Sequence, residues 1–170
     1  MELTGSLRPS LIVTTLACMA LAAGPKSADP STVTTTFTVS TDVQTACVVS
    51  ATPLNFGTYT STAASNATST VTVQCNNLTT YNVGLDAGTA TGATTSTRSM
   101  TGPTGSLLLP YFLYQDAGQT KNWGDVVGTD TVAGTGNGSG QPITVYGHIA
   151  AGNVNRAGVY SDTITVTVTF

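Results

Sequence analysis

The stretch Gly158-Val159-Tyr160-Ser161-Asp162-Thr163-Ile164-Thr165-Val166-Thr167-Val168-Thr169-Phe170 carries a strict alternation. Ile164, Val166, Val168 and Phe170 fall on one side, and Thr163, Thr165, Thr167 and Thr169 on the other. A period of two with β-branched residues on both sides predicts a strand with one buried face. Gly158 and Ser161-Asp162 punctuate its start. The sequence stops at Phe170 on the apolar side, with no turn and no returning strand. A central strand needs a neighbour on each side, so the missing one is expected from earlier in the chain or from another chain. The matching segment is Thr32 to Val43. There Val33, Thr35, Phe37, Val39, Thr41 and Val43 alternate with Thr34, Thr36, Thr38, Ser40 and Asp42.

The 170 residues suit one domain. Only 8% are charged, and 18 glycines, 7 prolines and abundant threonine favour an all-β domain with many turns. The net charge is -3, and the five basic residues Arg8, Lys26, Arg98, Lys121 and Arg156 are scattered. No basic patch is available for a phosphate backbone, which argues against nucleic acid as a partner.

Residues 1–23 read as a signal peptide. Arg8 precedes the apolar run Leu11 to Ala23, and Ala20-Leu21-Ala22 offers small residues for cleavage, expected between residues 22 and 28. The run is too short and too interrupted by threonine for a good membrane span. Leu16-Ala17-Cys18 permits a lipoprotein alternative. Removal of Cys18 leaves Cys47 and Cys75, and an even pair in an exported chain predicts a disulfide. Closing that loop is expected to stabilise the fold by roughly 3–4 kcal/mol. Residues 24–45 form an N-terminal extension, and residues 46–170 the domain.

Within the domain, strands are expected at Ala46–Val49, Pro53–Tyr59, Thr70–Cys75, Tyr81–Asp86, Leu107–Tyr114 and Ile143–Ile149, besides the final one. Val71, Val73 and Cys75 should point inward together, as should Ile143, Val145, Gly147 and Ile149. Ser61–Ser69 and Gly128–Gly140 read as loops. Thr89–Gly105 reads as a long connection with a short strand near Arg98-Ser99-Met100, and Trp123 as a turn residue whose indole caps the core. The pattern is that of an antiparallel sandwich.

No catalytic or metal site emerges. His148 is the sole histidine and falls on the face opposite Val145 and Ile149, so it has neither a nucleophile partner nor a second imidazole for zinc. Asp86, Asp116, Asp125, Asp130 and Asp162 sit among glycines and turns, where turn-forming side chains explain them. Gly134, Gly136, Gly138 and Gly140 lack the helix and lysine of a phosphate loop. No cofactor is expected, and an enzyme is the weakest reading.

Several pieces in order resemble the spore coat protein U domain family, the pilin domain of archaic chaperone–usher pili. They are Cys47 followed by Leu54-Asn55-Phe56-Gly57, Val71 to Cys75, Leu109 to Ala117, Trp123-Gly124-Asp125, Val145-Tyr146-Gly147 and the final Gly158 to Phe170. The resemblance spans about Phe37 to Phe170. It implies an incomplete immunoglobulin-like antiparallel β-sandwich completed by a donor strand. It also implies a structural subunit that polymerises by donor-strand exchange, for surface adhesion and biofilm formation. Implied partners are neighbouring pilin subunits, a periplasmic chaperone and an outer-membrane usher, with the product a cell-surface fimbrium or a secreted protein. Carried onto this chain, Val33, Phe37 and Val39 are donor plugs. Ile164, Val166, Val168 and Phe170 border the acceptor groove and the chaperone-binding strand. The alternative is a secreted coat protein that fills its own groove.

Overall fold

The computed structural model describes residues 30–153 and 156–170, so the expected signal peptide lies outside the described residues. The chain divides into two units, one ending at Thr41 and one running from Asp42 to Phe170. Among the described residues nine strands occur in the second, all in antiparallel pairs. They are β1 (Cys47–Ala51), β2 (Ser65–Cys75), β3 (Thr80–Leu85), β4 (Ser99–Thr101), β5 (Leu108–Pro110), β6 (Phe112–Tyr114), β7 (Val132–Thr135), β8 (Gln141–Ile149) and β9 (Val166–Thr169). One sheet has the order β1-β2-β8-β6, a second β7-β3-β9, and β4 pairs with β5.

The alternation read from the sequence sets the core. Val71, Val73 and Cys75 of β2 are buried, as are Val145 and Ile149 of β8, Tyr81, Val83 and Leu85 of β3, and Leu113 of β6. Trp123 does more than cap this core. It is fully buried, and its indole Nε1 donates to the Val83 carbonyl at 2.8 Å. A buried indole N–H without an acceptor would cost about 1–3 kcal/mol, so the bond fixes Trp123 against β3.

Several expected elements differ, each for a local reason. Ser65–Ser69 belongs to β2 rather than to a loop, because it pairs with β8 from Ser65↔Ile149 to Ser69↔Val145; cross-strand pairing overrides weak intrinsic preference. The Leu107–Tyr114 run is split. Pro110 closes β5 and the chain then changes sheets, since β5 pairs with β4 and β6 with β8. Gly128–Gly140 contains β7, where a Cβ on Gly134 would come within 2.4 Å of the Tyr81 ring. The glycine there permits close packing rather than flexibility. Pro53–Tyr59 forms no ladder. Asn55 Oδ1 accepts from the Gly57 N–H at 2.8 Å, closing a turn in which Gly57 has φ +66°. Thr32–Val43 is not in a strand.

The final strand is shorter than its alternation. Thr163 N–H donates to Asp162 Oδ1 and Thr165 N–H to Asp86 Oδ1, so two carboxylates replace ladder acceptors before β9 begins.

Cys47 and Cys75 form the expected disulfide. They are direct partners in the β1–β2 ladder, so the bond staples neighbouring strands of one sheet instead of crossing the sandwich. Its loop spans 28 residues. Replacing both cysteines with serine is expected to lower unfolding free energy by about 3–4 kcal/mol. Urea unfolding of the two chains checks this, and equal midpoints would contradict it.

Candidate functional site

The site is an opening along one side of the sandwich. β1 is an edge of the first sheet and β9 an edge of the second. Among the described residues β9 pairs with β3 alone, in the register Asn82↔Thr169, Val83↔Val168, Gly84↔Thr167 and Leu85↔Val166. An edge strand presents a row of unpaired backbone groups. Its side chains show the same incompleteness: Val83 and Leu85 are fully buried, whereas Ile164, Val166 and Val168 are only half-buried.

Between these edges lies a cleft of about 310 Å³. Its floor is core: Val71, Leu85, Leu113 and Val145 all line it. Ile164 and Val166 form one wall, and Ala51 to Leu54 with Phe56 form the other. Gly147 makes room for the second wall, since a Cβ there would stand 2.8 Å from the Phe56 ring and 2.9 Å from Leu54. The cleft adjoins a second of about 560 Å³, which shares Leu54, Phe56, Met100 and Tyr160 with it.

A polar network frames the end of the cleft nearest Asp162. The Tyr111 hydroxyl donates to Asp162 Oδ2 at 2.7 Å, and Asp162 Oδ1 accepts from the N–H and Oγ1 of Thr89. Burial, then the bond to Asp162, pushes the Tyr111 pKa up, so its hydroxyl remains a donor. Arg98 lies beneath, fully buried, and its guanidinium donates to the carbonyls of Asp86, Thr95, Leu85 and Trp123 at 2.7–2.8 Å. Burial pulls the Arg98 pKa down, against the neighbouring charges of Tyr111, Asp86, Asp125 and Asp130.

Asp86 links this network to the last strand. Its Oδ1 accepts from Gly88 N–H at 3.0 Å and from Thr165 N–H at 2.9 Å. Burial alone would raise its pKa, but hydrogen bonds from Thr165 and Gly88, with the Arg98 charge, hold it below the ordinary value. A carboxylate depressed in the folded state adds stability above its unfolded pKa of about 3.9, and that stability is lost as pH falls through the folded pKa. The chain should therefore lose stability on acidification below about pH 4, and Asp86→Asn should flatten that part of the curve. Unfolding midpoints measured from pH 6 downward test it; an unchanged acid slope in the variant would assign the loss to other groups.

Of the expected groove residues, Val166 and Val168 lie in β9, Ile164 just before it, and Phe170 just after it with 58% of its surface exposed. Ile164 and Val166 line the cleft. Val33, Phe37 and Val39 are 92%, 85% and 83% exposed. The sequence reading did not assign the floor to the groove, although the alternation in β2 and β8 already turned Val71 and Val145 inward. It also missed Arg98, for which a single arginine among threonines offers no periodic signal.

A model of the family described as Spore Coat Protein U domain matches residues 33–167. Protein U of Myxococcus xanthus is 34% identical over 128 residues, covering 69% of this chain and 71% of that protein. A solved chain from the CsuC–CsuE chaperone–tip adhesion subunit pre-assembly complex is also similar. That complex comes from the archaic chaperone–usher Csu pili of Acinetobacter baumannii. The likeness has a TM-score of 0.56 at 25% identity and covers 75% of this chain and 40% of that one.

Proposed function

The chain belongs to the Spore Coat Protein U domain family, and from that premise we propose that it is a structural subunit of an archaic chaperone–usher pilus, joined to its neighbours by donor-strand exchange. The observation that carries this reading is the cleft between the edges of the two sheets, floored by Val71, Leu85, Leu113 and Val145. An incoming extended segment satisfies β9 by main-chain bonds and fills the cleft with alternate side chains. The segment 32–43 supplies that alternation, with Val33, Phe37 and Val39 exposed. Each buried plug contributes roughly 1.5–3 kcal/mol, so three or four hold a neighbour firmly.

Head-to-tail donation does not close on itself, and a fibre results. Until its neighbour arrives, an open cleft with a bare strand edge invites aggregation. A periplasmic chaperone that covers it, and an outer-membrane usher that exchanges it for the next subunit, complete the assembly route. The product is a cell-surface fimbrium serving attachment and biofilm formation, and the role is structural rather than catalytic.

The test uses material sheared from producing cells, run on SDS gels without and with boiling. Wild type should give a ladder that collapses on boiling, and Phe37→Asp should give none, because a carboxylate in an apolar cleft goes uncompensated. Monomer in every wild-type lane would favour a secreted coat protein that fills its own groove, the reading to which the family's name points.

A further inference from the structure

The outer face of the first sheet carries an aromatic cluster on the side opposite the cleft floor. The alternation that turns Leu113, Val145 and Ile149 into the core turns Phe112, Tyr114, Tyr146 and His148 to the other face, where all four are half-buried. The β6–β8 register sets Phe112 opposite His148 and Tyr114 opposite Tyr146, so the four residues occupy a two-by-two block of positions on one face. The Phe112 and Tyr114 ring centroids are 6.1 Å apart with planes inclined by 24°, and those of Phe112 and His148 are 6.4 Å apart at 34°. Phe112 thus stacks on Tyr114 and lies tilted beside His148, with part of each ring open to solvent.

Polar groups border the block from β2, where Asn66 stands opposite His148 and Thr68 opposite Tyr146. Asn66 Oδ1 accepts from Gln119 Nε2 at 2.7 Å and lies 2.7 Å from His148 Nδ1. An amide oxygen only accepts, so His148 carries a proton on Nδ1, and in the neutral ring Nε2 is left as an acceptor. The imidazole and the amide are thereby held in place beside the rings. Asn66, Thr68, Phe112, Tyr114 and Tyr146 include no carboxylate, lysine or arginine.

We propose that this aromatic block is a binding site for a neutral polysaccharide. The negative faces of Phe112, Tyr114 and Tyr146 attract the positively polarised C–H groups of sugar rings. Asn66, Thr68 and His148 Nε2 bond the hydroxyls at their edge. Charge complementarity selects an uncharged chain, since the block holds no lysine or arginine to meet a sulfate, uronate or phosphate. The site belongs to one subunit and does not depend on donor-strand exchange. If subunits polymerise, it recurs along the fibre, and weak single sites combine by avidity.

Full-length protein purified from producing cells would be run on native gels cast with hydroxyethyl cellulose, laminarin or pullulan, with alginate as the anionic comparison. Retardation by at least one neutral polymer is expected, with none by alginate. Tyr114→Ala with Tyr146→Ala should weaken it on the order of tenfold or more. Thr68→Ala, at a solvent-facing strand position, gives a second and milder variant. Thermal unfolding and the SDS ladder should match wild type in both. Absence of retardation by all three neutral polymers overturns the proposal, as does undiminished retardation of the double variant. A double variant that alters the ladder or sedimentation, with no neutral polymer bound by wild type, would make the block a contact between copies instead. Loss of the ladder in Phe37→Asp with retardation intact would leave this site standing while the assembly reading changed.

Discussion

Arg98→Ala is expected to destabilise the domain by about 4 kcal/mol or more. Arg98 is fully buried, and its Nε, Nη1 and Nη2 donate to four backbone carbonyls. Those carbonyls come from different places in the chain: Leu85 and Asp86 at the end of β3, Thr95 in the following loop, and Trp123 beside β6. One planar guanidinium thus ties three segments together. Alanine leaves the acceptors without donors at about 1–3 kcal/mol each when they stay dry, and adds a cavity. Lysine should rescue poorly, because a point-like ammonium lacks the fork that reaches diverging acceptors. Methionine should restore volume but not the bonds. The order wild type, then methionine or lysine, then alanine is checked by urea unfolding. A loss below about 1 kcal/mol in alanine would mean that water replaces the guanidinium and that the site is wetter than its burial indicates. Because Leu85 lies on the cleft floor and Asp86 holds Thr165, the alanine variant should also lose fibre assembly.

Arg98 marks the limit of what periodicity conveys. Alternation identified β2 and β8 with the correct inward faces, because half-buried strands must repeat every second residue, and it placed β3 without choosing its face. The disulfide followed from cysteine number and export. Even the solvent side of His148 was legible. The cleft was legible only as an absent neighbour for the last strand. Its floor comes from β2, β3, β6 and β8, four strands in two different sheets, and no local pattern says which inward residues stay accessible. Short strands were hardest. β7 was hidden by a glycine that serves packing against Tyr81, and β5 and β6 ran together because Pro110 changes the sheet without interrupting the apolar run. The network of Arg98, Asp86, Tyr111 and Asp162 left no trace, since single polar residues in loops look alike until the fold brings them together.

Two defective chains should make a dimer that neither makes alone. Phe37→Asp spoils the donor segment but leaves the cleft intact. Val166→Asp places a carboxylate in the wall of the cleft, on the edge strand itself, but leaves the donor segment intact. A carboxylate there either stays charged without a partner or takes a proton, and both cost free energy that the plug must overcome. Each chain produced alone should therefore give no ladder. Produced together, a Val166→Asp chain can donate into a Phe37→Asp chain. The product's remaining cleft is the spoiled one and its remaining donor is the spoiled one, so growth stops at two. Unboiled gels should show a dimer band and nothing above it, and a tag of different mass on each chain should place one of each in that band. This follows from a heterologous, directional joint. An isologous contact would use the same surfaces of both chains and would pair each variant with itself or not at all. A ladder beyond two would mean that one substitution is too mild to block its site. No dimer with both chains folded would remove donor-strand exchange between segment 32–43 and this cleft. Monomers that carry their own segment would point back to a self-filled groove.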